Sequence, residues 1–429
     1  MKRSLLTLFC FAFSTLVTSQ VLTLEQCQEL AQENYPALAR KDLINKSSGY
    51  TISNAKRNWL PQVLLNVQAT YQSDVMSFPD NFNNLLSMIG TNFEGLPKDQ
   101  YKAAIQIEQV IWEGGAVNAQ VKAAEAEAEA TRQNWEIEMY SVKERVNQLF
   151  FGTLLLQEKN KEIDIHIEEL NRNQNLVESY IKNGIANQSD LDQVVVEILA
   201  AKQRKSEITS TKKAYQLMLG IIINECISDD TQLLKPELLD VQEEPQINRP
   251  ELKYFEAQER MLDAQKKGVN ASVMPRIGAF LQGAYASPGL NLFEDMQKNQ
   301  WSPYFIAGVN LQWNIGSFYT QKNKLSQIEV SRSQIASQKE TFIYNINLKS
   351  TQENIAIEKM REVMLQDDEI INLRRSIRKR TESQIENGTK NINDLLRDIN
   401  AENMARQNKV THEIELLKNI YDLKYTINS

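Results

Sequence analysis

The segment YIKNGIANQSDL at residues 180–191 recurs, in altered form, as QIENGTKNINDL at residues 384–395. Each segment has an Asn-Gly pair, and an Asp-Leu pair begins six residues after the glycine. Glycine adopts the left-handed conformation with which many helices end, at no steric cost. The pattern therefore predicts two helix hairpins, with tips at Gly184 and Gly388.

A new helix is expected to begin just after each tip. Ser189 and Asn393 are suited to the cap position, because their side chains can accept a backbone N–H. Asp190 and Asp394 would then lie in the first turn, where the helix dipole favours a negative charge. The returning helices are predicted at about residues 190–222 and 394–426.

The stretches that lead into the tips are typical of long helices. All ten prolines lie within residues 36–97 and 236–303, and VKAAEAEAEA at 121–130 consists of strong helix formers. Each descending helix should run for about 70 residues, or ~100 Å at 1.5 Å per residue. Their apolar residues recur at a spacing of three to four on a polar background, which favours a coiled-coil seam.

Other landmarks also occur twice and in the same order. NYPAL at residues 34–38 returns as NRPEL at 248–252, and LPQV at 60–63 returns as MPRI at 274–277. A matched series of this kind indicates an internal repeat. We therefore divide the chain into a first repeat (20–222), a linker or equatorial segment (223–247) and a second repeat (248–429). Each repeat should open with a shorter helix, at about 37–58 and 249–272.

Four segments alternate between apolar and polar residues, which predicts strands. They start near residues 63, 101, 276 and 305, and each runs for about 10–12 residues, the length of a tilted membrane-crossing strand. Trp59, Trp112, Trp301 and Trp313 lie at their ends, where interfacial aromatic residues belong. Alternation alone also fits a half-buried sheet in a soluble domain. Four strands in lipid would need further chains to close the sheet, as eight, twelve or more strands.

The N-terminus has the features of a signal peptide at residues 1–19. Lys2 and Arg3 precede an apolar stretch from Leu5 to Val17, which is too short for a membrane anchor. The formal net charge of the whole chain is −7, which argues against a nucleic-acid partner.

The chain has only two histidines, which excludes a His-rich metal cluster, and we expect no cofactor and no metal. Residue counts alone do not exclude an ion site made only of carboxylates. Outside the signal peptide, Cys27 and Cys226 could pair, but separate buried thiols are favoured.

Together the motifs resemble the TolC family of outer-membrane efflux channels. The resemblance depends on LTLEQC at 22–27, where Thr23 and Gln26 have capping-box spacing, on NYP at 34–36, on WEGG at 112–115 and on the two Asn-Gly tips. It implies a homotrimer with a 12-stranded barrel in outer-membrane lipid, four strands per chain, continued by a periplasmic helical barrel. It also implies a periplasmic adaptor and an inner-membrane pump as partners, and no catalysis.

The resemblance further implies a gate and pore constriction at the hairpin tips. Asp394 matches one pore aspartate of the family, whereas Arg397 replaces the next one. In the first tip, Ser189 and Asp190 match linking positions. Lys390 replaces a linking arginine and is expected to pair with Ser189 or Asp190, while Ile385 replaces a tyrosine. The alternative is that Asp190 and Asp394 are only first-turn carboxylates.

Two other functions fit parts of the sequence less well. An enzyme is disfavoured because the chain has no nucleophile motif, no glycine-rich phosphate loop and no His-based dyad. A soluble periplasmic coiled-coil adaptor or structural protein would explain the helices and the signal peptide, but not the four amphipathic strands. The apolar loop at 75–100, which contains Phe78, Phe82 and Phe93, is expected to face outside and to cover part of the channel mouth.

Overall fold

A computed structural model describes residues 21–88, 90, 95–229, 231–238, 246–298 and 300–428. The predicted signal peptide at 1–19, Phe93 and part of the 223–247 segment lie outside the described residues. In chain order the elements are β1 (Val21–Leu22), α1 (Leu24–Asn34), α2 (Leu38–Arg57), β2 (Gln62–Tyr71), α3 (Asp80–Met88), β3 (Asp99–Trp112), α4 (Ala116–Lys182), α5 (Gln188–Ile223), β4 (Gln232–Leu233), α6 (Pro250–Ala271), β5 (Arg276–Ser287), α7 (Leu292–Lys298), β6 (Ser302–Gln312), a short 3-10 turn (Ile315–Ser317), α8 (Phe318–Glu386) and α9 (Ile392–Ile427).

These elements form two compact units. The helical unit comprises Met1–Lys41, Asn134–Leu252 and Glu340–Ser429, so far as they are described, and the sheet unit comprises Asp42–Gln133 and Lys253–Lys339. Each unit draws segments from both halves of the sequence, while α4 and α8 contribute residues to both units. The division into sequence repeats stays a prediction.

The four predicted strands are confirmed and form one antiparallel sheet in the sheet unit. Its strand order is β2-β3-β5-β6, so β2 and β6 are its edges. The register pairs Leu65 with Ile105, Ile107 with Leu281 and Leu281 with Ala307. Because side chains alternate along a strand, this register gathers the apolar residues of all four strands on one face.

That apolar face is exposed in the single chain. The exposed fraction is 71% for Leu65, 73% for Val67, 74% for Phe305 and 69% for Val309. The opposite face carries polar side chains, with the Gln282 amide 3.0 Å from the oxygen of Gln106. It is less uniform than expected, because Leu64, Phe280 and Ile306 belong to it as well.

The long helices of the hairpins also have the predicted lengths. α4 has 67 residues, α8 has 69, and the returning helices α5 and α9 have 36 each. α1 begins with the predicted capping box, in which Thr23 Oγ1 accepts the Gln26 N–H at 3.2 Å and the Gln26 side chain accepts that of Thr23. In the part of the chain that the structure describes, none of the helices is long and apolar enough to pass through a membrane.

Two apolar clusters hold the helical unit together. One packs Phe150, Phe151 and Leu154 of α4 against Leu219 of α5 and Leu417 of α9. The other lies toward the hairpin tips. Its fully buried members are Ile163, Leu170, Val177, Val194, Leu395 and Ile399. The second cluster therefore joins the two hairpins just below their tips.

Several local features were not predicted. β1 and β4 form a short parallel pair, and α3 and α7 interrupt the loops between strands. Phe78 packs beside Phe82, with ring centroids 5.3 Å apart, within the loop expected to cover the mouth. Cys27 and Cys226 are not bonded to each other, and Cys226 is exposed, so the expectation that both thiols are buried is wrong for Cys226.

Candidate functional site: the tips of the two hairpins

Both predicted tips are confirmed as sharp reversals between helices. Gly184 has φ +75° and Gly388 has φ +69°, the left-handed region in which a Cβ is strained. The Gly184 N–H donates to the Ile181 carbonyl at 3.0 Å, and the Gly388 N–H donates to the Ile385 carbonyl at 2.9 Å. The two tips therefore share one backbone design.

The helix caps after the tips differ from the prediction. Asn187 caps α5 and Asn391 caps α9, so Ser189 and Asn393 lie inside the first turns. Each Asn side chain accepts the N–H of an aspartate three residues later, and that aspartate accepts the N–H of the cap residue. This reciprocal capping box explains the error, since only a residue three positions before the aspartate can make both bonds.

The first-turn aspartates differ in their surroundings. Asp190 Oδ2 accepts the Asn187 N–H at 2.9 Å. Asp394 also lies 3.3 Å from an Nη2 of Arg397, whose side chain is 70% exposed. Arg397 therefore offsets part of the negative charge that Asp394 places at this tip. An exposed pair of this kind contributes little to stability, on the order of 0–1 kcal/mol.

A groove of about 620 Å³ runs between the first turns of α5 and α9. Ser189 and Glu197 line it on one side, and Asn393 and Arg397 line it on the other. An Asn400 amide crosses the groove to Glu197 at 3.0 Å. The structure thus brings Ser189 and Arg397 to one groove, whereas Asp190, Asp394 and Lys390 do not line it.

Lys390 bonds within its own hairpin. Its ammonium donates to Thr381 Oγ1 at 2.9 Å, and the Thr381 hydroxyl donates to Asp398 Oδ2 at 2.7 Å. Thr381 is completely buried and Asp398 is 6% exposed. The expected link to Ser189 or Asp190 could also be made by another copy of the chain, and that link stays a prediction.

Sequence reasoning missed Thr381 and Asp398, although a signal was present. At the 204-residue offset between the tips they correspond to Val177 and Val194, which are fully buried. Polar residues at core positions of one repeat, where the other repeat has valines, indicate a buried network.

A buried carboxylate lies further along the second hairpin. Glu402 has no exposed surface and is contacted by three arginines: Arg406 Nη2 at 2.6 Å, Arg378 Nε at 3.1 Å and Arg375 Nε at 3.4 Å. Arg378 also contacts Glu169 of α4. Ile198 is the counterpart of Glu402 at the 204-residue offset. The second hairpin therefore again has a charge where the first has an apolar side chain.

The first hairpin has a buried histidine below its tip. His166 is 5% exposed, and its Nδ1 has no hydrogen-bond partner. Burial lowers the pKa of His166, against a smaller opposite effect of Glu197. The neutral imidazole is therefore the form that the folded helices favour.

The predicted interfacial tryptophans lie at the ends of the strands in the sheet unit. Trp301 precedes β6 and stacks on Tyr101 and Tyr285, with ring centroids 5.9 and 5.1 Å apart. Trp59, Trp112 and Trp313 lie near the opposite ends, and the Trp313 indole N–H donates to the Val273 carbonyl at 2.9 Å. All four are between 43% and 49% exposed.

The sequence is also similar to a known family. Residues 28–219 match the family described as outer membrane efflux protein. The match covers a little less than half of the chain. No curated protein sequence matches the chain significantly. The matched region runs from within α1 to near the end of α5 and includes the first tip.

Solved structures of outer-membrane channels share the fold. VceC from Vibrio cholerae is similar over 95% of this chain and 96% of its own, at 12% identity and a TM-score of 0.71. The open-state MtrE channel of Neisseria gonorrhoeae is similar over 95% of this chain and 89% of its own, at 14% identity and a TM-score of 0.69. CmeC of Campylobacter jejuni is similar over 94% of this chain and 85% of its own, at 12% identity and a TM-score of 0.68. At these identities the likeness shows the fold alone, and it is the fold of TolC-like channels.

Proposed function

We propose that the chain is the outer-membrane exit duct of a tripartite efflux or export system. Three copies form one passive conduit, which is gated at the periplasmic hairpin tips and works with a periplasmic adaptor and an inner-membrane pump. The single observation that carries this proposal is the sheet, which has an exposed apolar face and two open edges. The match of residues 28–219 to the outer membrane efflux protein family supports the same proposal.

The apolar face suits lipid better than water. Leu65 and Val67 at one edge of the sheet, and Phe305 and Val309 at the other edge, each leave about 70% of their surface exposed. The strands have 10 to 14 residues, enough for a tilted strand to cross the hydrocarbon layer. The aromatic residues at both strand ends would lie at the two membrane surfaces.

The edges require additional chains. Among the described residues, β2 pairs only with β3 and β6 only with β5, so the outer backbone groups of both strands have no partner. In lipid, such groups must be satisfied by closing the sheet. Pairing β2 of one copy with β6 of the next closes a barrel, and three copies supply the twelve strands that leave room for a water-filled lumen.

The polar face would then line that lumen. Lys102 Nζ lies 3.5 Å from the Gln282 oxygen, and the Gln282 amide bonds Gln106. Such a row of amides and a charge is solvated at no cost only when it faces water.

The part of α8 that belongs to the helical unit also needs a partner. Its apolar side chains are exposed over much of its length: Tyr344 (63%), Leu348 (54%), Ile355 (60%), Leu365 (82%) and Leu373 (57%). Neighbouring copies would cover these residues and complete a helical barrel below the membrane. A soluble monomeric adaptor would leave them in water.

The gate is assigned to the tips because charged groups converge there. Ser189 and Arg397 share the groove between α5 and α9, and Asp394 pairs with Arg397. In a trimer these residues would recur three times around one axis. The two-fold repeat supplies the hairpins in pairs, so that six tips would converge to close the conduit.

Planar-bilayer recording tests this function. Protein lacking residues 1–19, purified in mild detergent, should produce discrete conductance steps, because a closed barrel gives each inserted particle one fixed conductance. An empty-detergent preparation is the control. A protein that never inserts, and that stays in the soluble fraction of cells, would contradict the channel and favour the periplasmic coiled-coil adaptor.

A further inference from the structure

We propose that Lys390, Thr381 and Asp398 form a clasp that holds the second hairpin tip against its own helices. The clasp positions the loop 387–391, and no catalytic or transport step passes through it. As part of a gate it depends on the proposed function, but its effect on the hairpin does not.

The chemistry of the clasp is a bridged ion pair. The Thr381 hydroxyl accepts from the Lys390 ammonium at 2.9 Å and donates to the Asp398 carboxylate at 2.7 Å. A hydroxyl can do both at once, because it has one donor and two acceptor sites. Each of the three groups therefore satisfies the next one.

Burial makes this arrangement consequential. Asp398 is 6% exposed, and Thr381 is 0% exposed. A buried carboxylate that loses its partner retains the full cost of its desolvation. Thr381 connects the Lys390 ammonium to this buried carboxylate, so the tip loop that carries Lys390 is held against α8 and α9.

The first hairpin shows what the same backbone does without a clasp. Ala186, Val177 and Val194 occupy the corresponding positions, 204 residues earlier, and both valines are fully buried. Its turn glycine and its capping box have the same geometry as those of the second tip. At these positions the first tip is therefore held by apolar packing, and the second tip by the hydrogen bonds of the clasp.

This contact also determines where the Lys390 charge lies. While the ammonium bonds Thr381, it is turned toward α8 and α9 and is not free to reach the groove that Ser189 and Arg397 line. The clasp and a link from Lys390 to Ser189 are consequently competing states of one side chain.

The test is hydrogen–deuterium exchange of the tip amides, in the full chain without residues 1–19, in detergent. Lys390→Ala and Thr381→Val should each speed exchange in residues 388–394 by about 10- to 100-fold, because each removes the bond that ties the tip loop to α8 and leaves a buried polar group without a partner. The triple variant Lys390→Ala/Thr381→Val/Asp398→Val reproduces the trio of the first hairpin. It should return to within about 3-fold of the unmodified protein, since a buried ionic group can be replaced by well-packed apolar residues.

Ser189→Ala is the matched control and should leave these amides unchanged. The proposal is overturned if Lys390→Ala alone has no effect, or if the triple variant exchanges as fast as the single variants. If Ser189→Ala reproduces the Lys390→Ala effect, the ammonium acts through Ser189 and the clasp is again overturned. Exchange needs no channel activity, so a protein that forms no conductance steps would contradict the proposed function while this test still decides the clasp.

Discussion

Replacement of Glu402 by alanine should loosen the second hairpin. The carboxylate is completely buried, and Arg378, 14% exposed at its side chain, lies 3.1 Å from it. Removing one member of a buried ion pair typically costs about 3–5 kcal/mol, because the other charge remains buried without its partner. Arg375 adds little to this figure, since its side chain is 42% exposed.

Amide exchange in α9 around residue 402 measures the effect. A loss of about 3–5 kcal/mol in the free energy of local opening should speed exchange there by roughly 10²- to 10³·⁵-fold. Glu382→Ala is the matched control, because Glu382 also faces Arg378, at 3.8 Å, but is 37% exposed at its side chain. It should change exchange by no more than about fivefold, or ~1 kcal/mol.

The first hairpin supplies a rescue. Glu402→Ile with Arg378→Gln installs the residues found 204 positions earlier, Ile198 and Gln174. This double variant should recover part of the lost protection, because it leaves no buried charge at residue 402 but also removes the arginine that contacts Glu169. The reasoning is refuted if Glu402→Ala loses no more protection than Glu382→Ala does.

Three further predictions concern single side chains. Cys226 should react with a maleimide within minutes in the folded protein without residues 1–19, whereas Cys27 should react only after unfolding, because burial raises the pKa of its thiol to about 12; equal rates would contradict this. Acidification below the ordinary His pKa of about 6.5 should destabilise the first hairpin, because the pKa of His166 is lowered in the folded protein and folding therefore stabilises its neutral form. His166→Leu should reduce this pH dependence, as measured by circular dichroism during thermal unfolding. An unchanged pH dependence in the variant would contradict the role of His166. Arg397→Asp should increase cation selectivity in bilayer recordings, since it replaces a positive charge beside Asp394 by a negative one; an unchanged reversal potential would show that Arg397 does not line the conduction path.

The hairpins and strands could be predicted because their signals are local. An Asn-Gly pair after 70 residues without proline can hardly be anything but a helix end, and alternation over ten residues determines which strand face is apolar. The cap residues were mispredicted because Asn187 and Ser189 are both good cap types. The three-residue distance to Asp190 decides between them, and that criterion was available in the sequence.

The partners of long side chains could not be predicted in the same way. Lys390 can reach acceptors on its own hairpin or on another copy, and its choice depends on which of them is buried. Thr381 is 0% exposed because α8, α9 and α4 pack together there, which is a property of the folded chain. Likewise α3 forms within a loop whose sequence, DNFNNLLSM, is rich in residues that favour turns.

The most direct test of the shared-barrel channel is to measure in which cell fraction the protein is found and how many chains its particle contains. Cells that express the full sequence should contain it in the outer-membrane fraction, and light scattering in mild detergent should give about three chains per particle. That result would support a shared barrel closed by β2 and β6 of neighbouring copies. A soluble particle of one or two chains would contradict the channel, because the apolar sheet face would then have to lie in water.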